Sequence, residues 1–447
     1  MRLPEKVGEL IQMLNDKGYS AYAVGGCIRD SLLGIEPADW DICTDALPED
    51  MLRVFQGYRI IETGLKHGTI TVMSDHTGYE ITTFRIDGEY TDHRHPDRVS
   101  FVDRLECDLA RRDFTINAMA YSEKDGLVDL FNGQKDLADG VIRCVGDPFQ
   151  RFDEDALRIM RAVRFAAKYD MKIDEQTGEA IRKLCSSMQR VSPERLSAEM
   201  IKTLTGKACG RLMREYPEVF FTVIPDLRSI YRLNQRSRHH LYDVWEHTVR
   251  SVENVEASAV MRLTMLLHDT GKASTMTVDE NGEGHFPGHG AVSAEIARRT
   301  LENLRLDRNT IETVVKLVEA HDLPLPNDRH VMLRRLNRFG EENLKRLIYI
   351  KEADRKATGT RDPEQLKEAT AARLALLAQV LEEGCCFTLK DLAVNGHDIE
   401  AMGIQGKQIG SILHTLLEYV MDGKIDNSRE ALLCIASDIV RRSQKND

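Results

Sequence analysis

Apolar positions recur at helical spacing across residues 5 to 17, whereas "YAVGG", "WDICT", "GTITVM" and "YEITTFR" alternate apolar and polar residues as half-buried strands do. The first 140 or so residues therefore predict an α+β fold built on a mixed sheet. From about Asp153 the period changes, and "EDALRIMRAVRFAAKY" opens a mainly helical remainder. Breakers near Gly146-Asp147-Pro148, near Pro225 and near Asp362-Pro363 interrupt the periodic segments and mark candidate boundaries.

Composition changes this picture little. A chain of 447 residues is too long for one ordinary core, and 42% hydrophobic with 30% charged residues is the balance of a globular protein. "MRLPEKVGEL" has no basic segment followed by an apolar run, and no stretch approaches the roughly 20 apolar residues of a membrane span, so a cytoplasmic protein without a membrane partner is expected. Nine cysteines without a Cys-x-x-Cys pair predict reduced thiols; Cys385 and Cys386 are adjacent and poorly placed for a disulfide. The net charge of -11 argues mildly against a nucleic-acid partner. Basic residues nevertheless cluster in "RSIYRLNQRSRHH" (228–240) and "RHVMLRRLNRFGEENLKR" (329–346), either of which is also an ordinary solvated helix face.

The first candidate chemistry lies in "YAVGGCIRDSLLGIEPADWDICTDA". On a strand, Asp39 and Asp41 project from one face while Trp40 and Ile42 turn to the core. Two such carboxylates raise one another's pKa unless cations hold both ionised, as a pair of Mg²⁺ ions would. Gly25 and Gly26 let the backbone approach a ligand, and "CIRDSLLG" is a helix start whose amides would face an anion. Metal on one side and phosphate on the other suggest a nucleoside triphosphate. Alone, an Asp-x-Asp pair is an ordinary loop or strand and Gly-Gly an ordinary turn. In order, GG-x-x-RD-x-LLG followed by DWDICT resembles the signature of the tRNA nucleotidyltransferase and bacterial poly(A) polymerase family, in the class II branch of the polymerase-β-like superfamily.

That resemblance implies that Asp39 and Asp41 ligate the catalytic Mg²⁺ ions, with Glu80 of "YEITTFR" as a candidate third carboxylate. It also implies that "RRDFTINAMA", carrying Arg111, Arg112, Asp113 and Asn117, handles the ribose and triphosphate. Alone, the segment is a helix start with an Arg-Asp pair. In "EDALRIMRAVRF", Glu154, Asp155 and Arg158 have the spacing of an intrahelical ion pair. Asp155 and Arg158 together also offer an acceptor beside a donor, which suits the pairing edges of cytosine and adenine and leaves groups of guanine and uracil unpaired. The family motif assigns the same base-reading role to these two positions. Gly25, Gly26, Arg29, Arg161 and Arg164 complete the implied nucleotide-binding set, and tRNA, CTP and ATP are the implied partners.

Relatives sharing this head add CCA to tRNA, or poly(A). "FRIDGEYTDHRHPDRVSF" (84–101) resembles the flexible loop of complete CCA-adding enzymes, with His95 where an arginine is common. "IIETGLKHGTITVM" differs from the Gly-Arg-Arg-Phe type of stretch in bacterial poly(A) polymerases. Both favour CCA. In the family-like tail, Gly403, Gly406, Lys407 and Gly410 are expected to precede a helix whose start could hold tRNA phosphates, a plain interhelical turn being the equal alternative.

A separate set comprises His247, His268, Asp269, His289, His321 and Asp354. A lone histidine is ordinarily a surface or satisfied core residue. His-Asp followed by Thr-Gly-Lys within a helical region instead resembles the HD phosphohydrolase superfamily, which implies that His247, His268, Asp269 and Asp354 ligate a divalent metal. His289 and His321 would complete a second metal position or bind substrate phosphate. Imidazoles with carboxylates suit Mn²⁺, Ni²⁺, Co²⁺ or Fe²⁺ better than Mg²⁺ alone. Some tRNA nucleotidyltransferases carry such a domain, implying a phosphatase or 2',3'-cyclic phosphodiesterase; the alternative is a helical scaffold that hydrolyses nothing.

The whole-chain expectation is a nucleotidyltransferase head (1–140), a base-reading neck (141–224), an HD domain (225–360) and a helical tRNA-binding tail (361–447). The activity expected is template-independent CCA addition. Poly(A) or A-only addition is the catalytic alternative, and a non-catalytic RNA-binding protein the alternative of another class.

Overall fold

The computed structural model describes residues 1–87 and 99–443. It divides into two compact units, one of Met1–Arg228 with Asn303–Leu306, the other of Ser229–Glu302 and Asp307–Asp447. The regions read as head and neck share the first unit, and the histidine-rich region, apart from residues 225–228 and 303–306, shares the second with the tail.

The alternating segments of the head become strands of a seven-stranded sheet: β1 (Ala21–Val24), β2 (Ile42–Thr44), β3 (Arg59–Ile61), β4 (Thr69–Ser74) and β5 (Thr77–Thr83), then β8 (Met119–Ser122) and β9 (Gly126–Asp129). A separate antiparallel pair, β6 (Arg85–Asp87) and β7 (Val99–Phe101), lies between them in sequence. The sheet order is β3-β4-β5-β2-β1-β8-β9. It is mixed, as expected, because β2 and β5 run parallel while the other neighbours are antiparallel. Ile70 and Val72 of β4 are buried between half-exposed Thr69, Thr71 and Met73, so the period of two read from "GTITVM" is the period of its burial. β2 is buried at all three positions, as suits a central strand. Residues 88–98 of the expected flexible loop, with His95, lie outside the described residues.

The remainder of the first unit is mainly helical. Asp147 accepts from the Phe149 amide and Pro148 takes the first position of the helix Pro148–Glu154, so that breaker acts as a helix start. The expected continuous helix from Asp153 is corrected: Pro148–Glu154 ends first, Asp155 is extended (φ -139°, ψ 103°), and a second helix runs Leu157–Tyr169. That helix buries Ile159, Met160, Val163, Ala166 and Ala167, a face wide enough to carry it into the core.

In the second unit, Asp243, Asp307, Asp328 and Asp362 each cap a helix by accepting from a backbone amide of its first turn. In the tail, Gly406 precedes the helix Lys407–Met421 with φ 62°, but Lys407 and Gly410 lie inside that helix and not before it. Among the described residues no helix is long and apolar enough to cross a membrane, and all nine cysteines are free.

Candidate active sites

The head carboxylates are gathered by strand register. Val24 donates its amide to the Asp41 carbonyl at 2.9 Å. Ile42 of β2 pairs with Ile81 of β5, so continuing the parallel register by one residue sets Asp41 beside Glu80. The strand itself starts only at Ile42, so Asp39 and Asp41 lie in the segment leading into it. Trp40 is half-buried there, whereas Ile42 reaches the core as expected.

Burial, the charge of Asp39 and the charge of Glu80 push the Asp41 carboxyl up to about 6, with the Arg112 guanidinium pulling the other way. Asp39 itself is exposed. Three carboxylates meeting around one partial counter-charge fit a divalent cation. They form a looser set than the histidine region, which holds both of the groups of three donors found within 4.8 Å of one another among the described residues.

Gly25 closes this site from the side of β1. Its φ of 84° disfavours any residue with a Cβ, and a Cβ there would meet the Arg112 Nη1 at 2.7 Å. The glycine therefore leaves room for a guanidinium as well as for a ligand. Arg112 is anchored by the fully buried Asp108, which also takes two hydrogen bonds from Arg111 at 2.8 and 2.9 Å. Gly26 begins the short helix Gly26–Leu32, which carries Arg29.

Arg29, Asn117, Asp113 and Arg161 form one relay. Arg29 donates to the Asn117 side-chain oxygen, Asn117 donates to Asp113 at 2.9 Å, and Arg161 donates to Asp113 through two nitrogens. Burial alone would raise the Asp113 carboxyl, but the Arg161 guanidinium and the Asn117 amide bring it down to about 2. The relay ties the head to the helix Leu157–Tyr169, within which Arg164 places its Nε 2.9 Å from Glu199.

The base-reading pair has partners from elsewhere. Arg158 binds Glu154 at 2.6 Å across the break between the two helices, not within one helix as its spacing allowed, and donates to the Arg151 and Arg111 carbonyls. Asp155, outside the helix, accepts from Arg195 at 3.0 Å and from the Leu157 amide. Neither Arg195 nor Glu199 was singled out from the sequence. Both lie on the helix Pro193–Leu204, and no local pattern links that helix to residues 155 or 164.

The six residues of the histidine set come together in the second unit. His247 lies within the helix Val244–Glu253, and His268 and His321 each follow the last residue of a helix. His289 opens the helix His289–Asn303, and Asp354 projects from Arg329–Ala357. Carbonyls of the last helical turn orient two of the rings: His268 Nδ1 is 2.7 Å from the Met265 oxygen and His321 Nδ1 is 2.7 Å from the Val318 oxygen. The Phe286 carbonyl does the same for His289 at 2.9 Å. Each Nδ1 is thereby the donor, and each Nε2 presents a lone pair to the centre.

There His268 Nε2 is 3.3 Å from His247 Nε2, and His289 Nε2 is 3.1 Å from His321 Nε2. Asp269 lies between the two pairs, one oxygen 3.2 Å from His268 and the other 3.5 Å from His289. Asp354 reaches His247 at 3.0 Å. The donors fall into two groups, His247/His268/Asp354 and Asp269/His289/His321. Facing lone pairs at such distances repel unless a cation or proton lies between them, so this donor set fits one or two divalent ions. With no cation between the rings a proton takes its place on His268: burial opposes the charge, but Asp269 and Asp354 outweigh it and raise the ring to about 10. His321 is lowered to about 4 by burial and by His268.

Sequence reading passed over Lys272, which binds Asp269 at 2.7 Å and the Gln235 side-chain oxygen at 2.9 Å. Its position three residues after Asp269 in "HDTGK" was the available signal. A cavity of about 670 Å³ opens onto the centre, lined by His240, Lys272 and His289 among others.

Family models match three segments: a poly(A) polymerase head domain over residues 21–143, a probable RNA and SrmB-binding site of polymerase A over 170–224, and a putative tRNA nucleotidyltransferase domain 2 over 290–436. The chain is 32% identical over 438 residues to a CCA-adding enzyme of Enterococcus faecalis, covering 97% of this chain and 95% of that one. It is 33% identical over 449 residues to that of Levilactobacillus brevis, covering 97% and 98%. The match to the Ligilactobacillus salivarius enzyme is 45% identical over 212 residues and spans about half of either chain, 47% of this one and 52% of that one. Among solved structures, the Bacillus stearothermophilus CCA-adding enzyme in complex with CTP superposes with a TM-score of 0.70 at 27% identity, covering 100% of both chains. The Thermotoga maritima CCA-adding enzyme complexed with tRNA shares the fold at 22% identity and a TM-score of 0.61, covering 98% and 97%.

Proposed function

Because the chain belongs to the family of CCA-adding tRNA nucleotidyltransferases, we propose that its first unit adds C, C and A to the 3' end of tRNA from CTP and ATP without a template. The observation that carries this reading is the meeting of Gly25, just after β1, and Asp41, just before β2, with Glu80 of β5, and Arg112 against the glycine. Mg²⁺ ions held by Asp39 and Asp41, with Glu80 beside them, supply a lowered pKa for the attacking hydroxyl and stabilisation of charge at the α-phosphate. In each transfer the tRNA 3'-oxygen bonds to the α-phosphorus, the bond to the bridging β-oxygen breaks, pyrophosphate leaves with that electron pair, and the hydroxyl proton passes to solvent.

Arg112, fixed by Asp108, faces the reacting phosphates. The relay from Arg29 to Arg161 holds the head at a set distance from the base-reading end of the neck. Asp155 and Arg158 select cytosine and adenine once their present partners, Arg195 and Glu154, are exchanged for the base edge. Asp155→Ala is expected to reduce the preference for CTP and ATP over UTP and GTP by about 10²-fold, measured as kcat/KM for each nucleotide. An unchanged preference would remove Asp155 from base reading.

The test of the main reading is extension, at single-nucleotide resolution, of tRNAs ending before CCA, after C and after CC. A stop after CCA is expected with CTP plus ATP. A long A ladder would mean poly(A) synthesis, and A added only to the CC-ended tRNA would mean that another enzyme supplies the cytidines.

The histidine centre supports a second activity, hydrolysis of a phosphate monoester or a 2',3'-cyclic phosphate at a tRNA end. A bound Mn²⁺, Ni²⁺, Co²⁺ or Fe²⁺ supplies Lewis-acid activation for such hydrolysis. Lys272 fixes Asp269 between the two donor groups, and the helix-end carbonyls keep the imidazole lone pairs turned inward. These residues serve a hydrolytic centre better than a scaffold, which has no need of lone pairs that face each other.

A further inference from the structure

Within the first unit a cavity of about 880 Å³ reaches Asp39 and carries far more positive than negative charge. Arg29 and Arg164 line it together with Lys168, Lys202 and Lys207, against only two carboxylates, Asp30 and Asp39. Asp30 is already engaged by Arg29 and by the Tyr169 hydroxyl, and Arg164 is paired with Glu199. Among the described residues the three lysine ammonium groups have no ion-pair partner. Burial and the neighbouring charges of Arg29, Arg164 and Lys202 outweigh Asp30 and hold the Lys168 ammonium below its usual range.

The lysines are brought together by backbone packing. The Ala208 amide donates to the Ala167 carbonyl at 3.0 Å. A Cβ on Gly206 would lie 2.7 Å from the Ala167 carbonyl carbon, so only glycine lets the turn bearing Lys207, which follows the helix bearing Lys202, lie flat on the helix that bears Lys168. On that helix Arg158, Arg161, Arg164 and Lys168 follow at three- and four-residue intervals. Arg158 and Lys168 are separated by about 15 Å along the axis, which is the reach of a nucleotide from its base edge to its last phosphate.

We propose that Lys168, Lys202 and Lys207 hold the β- and γ-phosphates of the incoming nucleotide at the far end of this stripe, and then the pyrophosphate it releases. The assignment rests on the transferase reading above. The ligand class is a polyphosphate, recognised by charge alone, so CTP and ATP are held alike while Asp155 and Arg158 tell them from the other nucleotides.

The experiment compares the full-length protein with Lys168→Ala and with the double variant Lys202→Ala/Lys207→Ala. The three side chains are exposed, so the fold is expected to survive. KM for CTP and for ATP is expected to rise about tenfold in the double variant, a loss near 1.4 kcal/mol, with KM for tRNA unchanged. Pyrophosphate binding, measured by calorimetry, should weaken by a similar factor, and arginine at the same positions should restore it. A raised KM for tRNA with unchanged nucleotide KM would overturn the assignment in favour of RNA backbone contacts, and so would unchanged pyrophosphate binding. If the unsubstituted protein incorporates no nucleotide, the transferase reading fails by itself, and the calorimetric comparison still decides the lysines.

Discussion

Asp41→Asn is expected to lower CMP and AMP incorporation by about 10³-fold or more, because it removes the carboxylate around which the head site is organised. Binding of tRNA should be unaffected. In metal-free buffer the same variant is expected to be more stable than the unsubstituted protein at pH 7. The Asp41 carboxyl titrates at about 6 in the folded chain, above its ordinary value, under burial and the charges of Asp39 and Glu80. The folded state thus holds that proton more tightly than the unfolded state does, and stability falls as pH rises from about 4 to about 6. The penalty is fully present at pH 7 and amounts to roughly 1–2 kcal/mol after allowance for solvent screening. Thermal unfolding at pH 4 and pH 7 checks this: the gain in Tm should appear only at the higher pH. Mg²⁺ should then raise the Tm of the unsubstituted protein and leave that of Asp41→Asn nearly unchanged. A variant with full transfer activity would end the metal assignment.

Asp269→Asn is expected to abolish metal binding in the second unit and to lower hydrolysis of a 2',3'-cyclic phosphate end by about 10³-fold, with CCA addition retained. Asp269 is 1% exposed, touches both donor groups and pairs with Lys272. Breaking that pair is also expected to cost about 3–5 kcal/mol of stability. His289→Asn, at a less buried member of the cluster, separates the two effects: metal content measured by mass spectrometry should fall while the denaturation midpoint stays close to that of the parent. Metal content unchanged in both variants would leave the cluster as a structural network and remove the hydrolytic reading.

These two centres differ in how far they could be read before the fold was known. Asp39 and Asp41 are two residues apart, and a glycine pair precedes them just after the neighbouring strand, so a local pattern sufficed to point at them. Glu80 had no such support. It joins the site only because β5 runs parallel to β2 in one register, and a slip of one residue would have turned it to the other face. The histidines were found through the order of a motif, but the role of Asp269 between two donor groups depends on four helices and a helix start converging on one point.

The neck shows the limit most clearly. The spacing of Glu154, Asp155 and Arg158 allowed an ion pair or a base-reading pair, and the structure contains a helix break that the periodicity did not reveal. Arg195 and Glu199, which hold Asp155 and Arg164, come from a helix packed across the neck, and no sequence interval encodes that distance.

The sequence by itself determined the element types, the mixed sheet and the chemical identity of the site residues, since each follows from short-range periodicity, capping and motif order. Only the tertiary structure decided which carboxylates share a site, which arginines are already paired, and that three lysines line one cavity beside Asp39. Those are properties of distance between segments far apart in the chain, set by strand register and by close contacts such as Gly206 on Ala167.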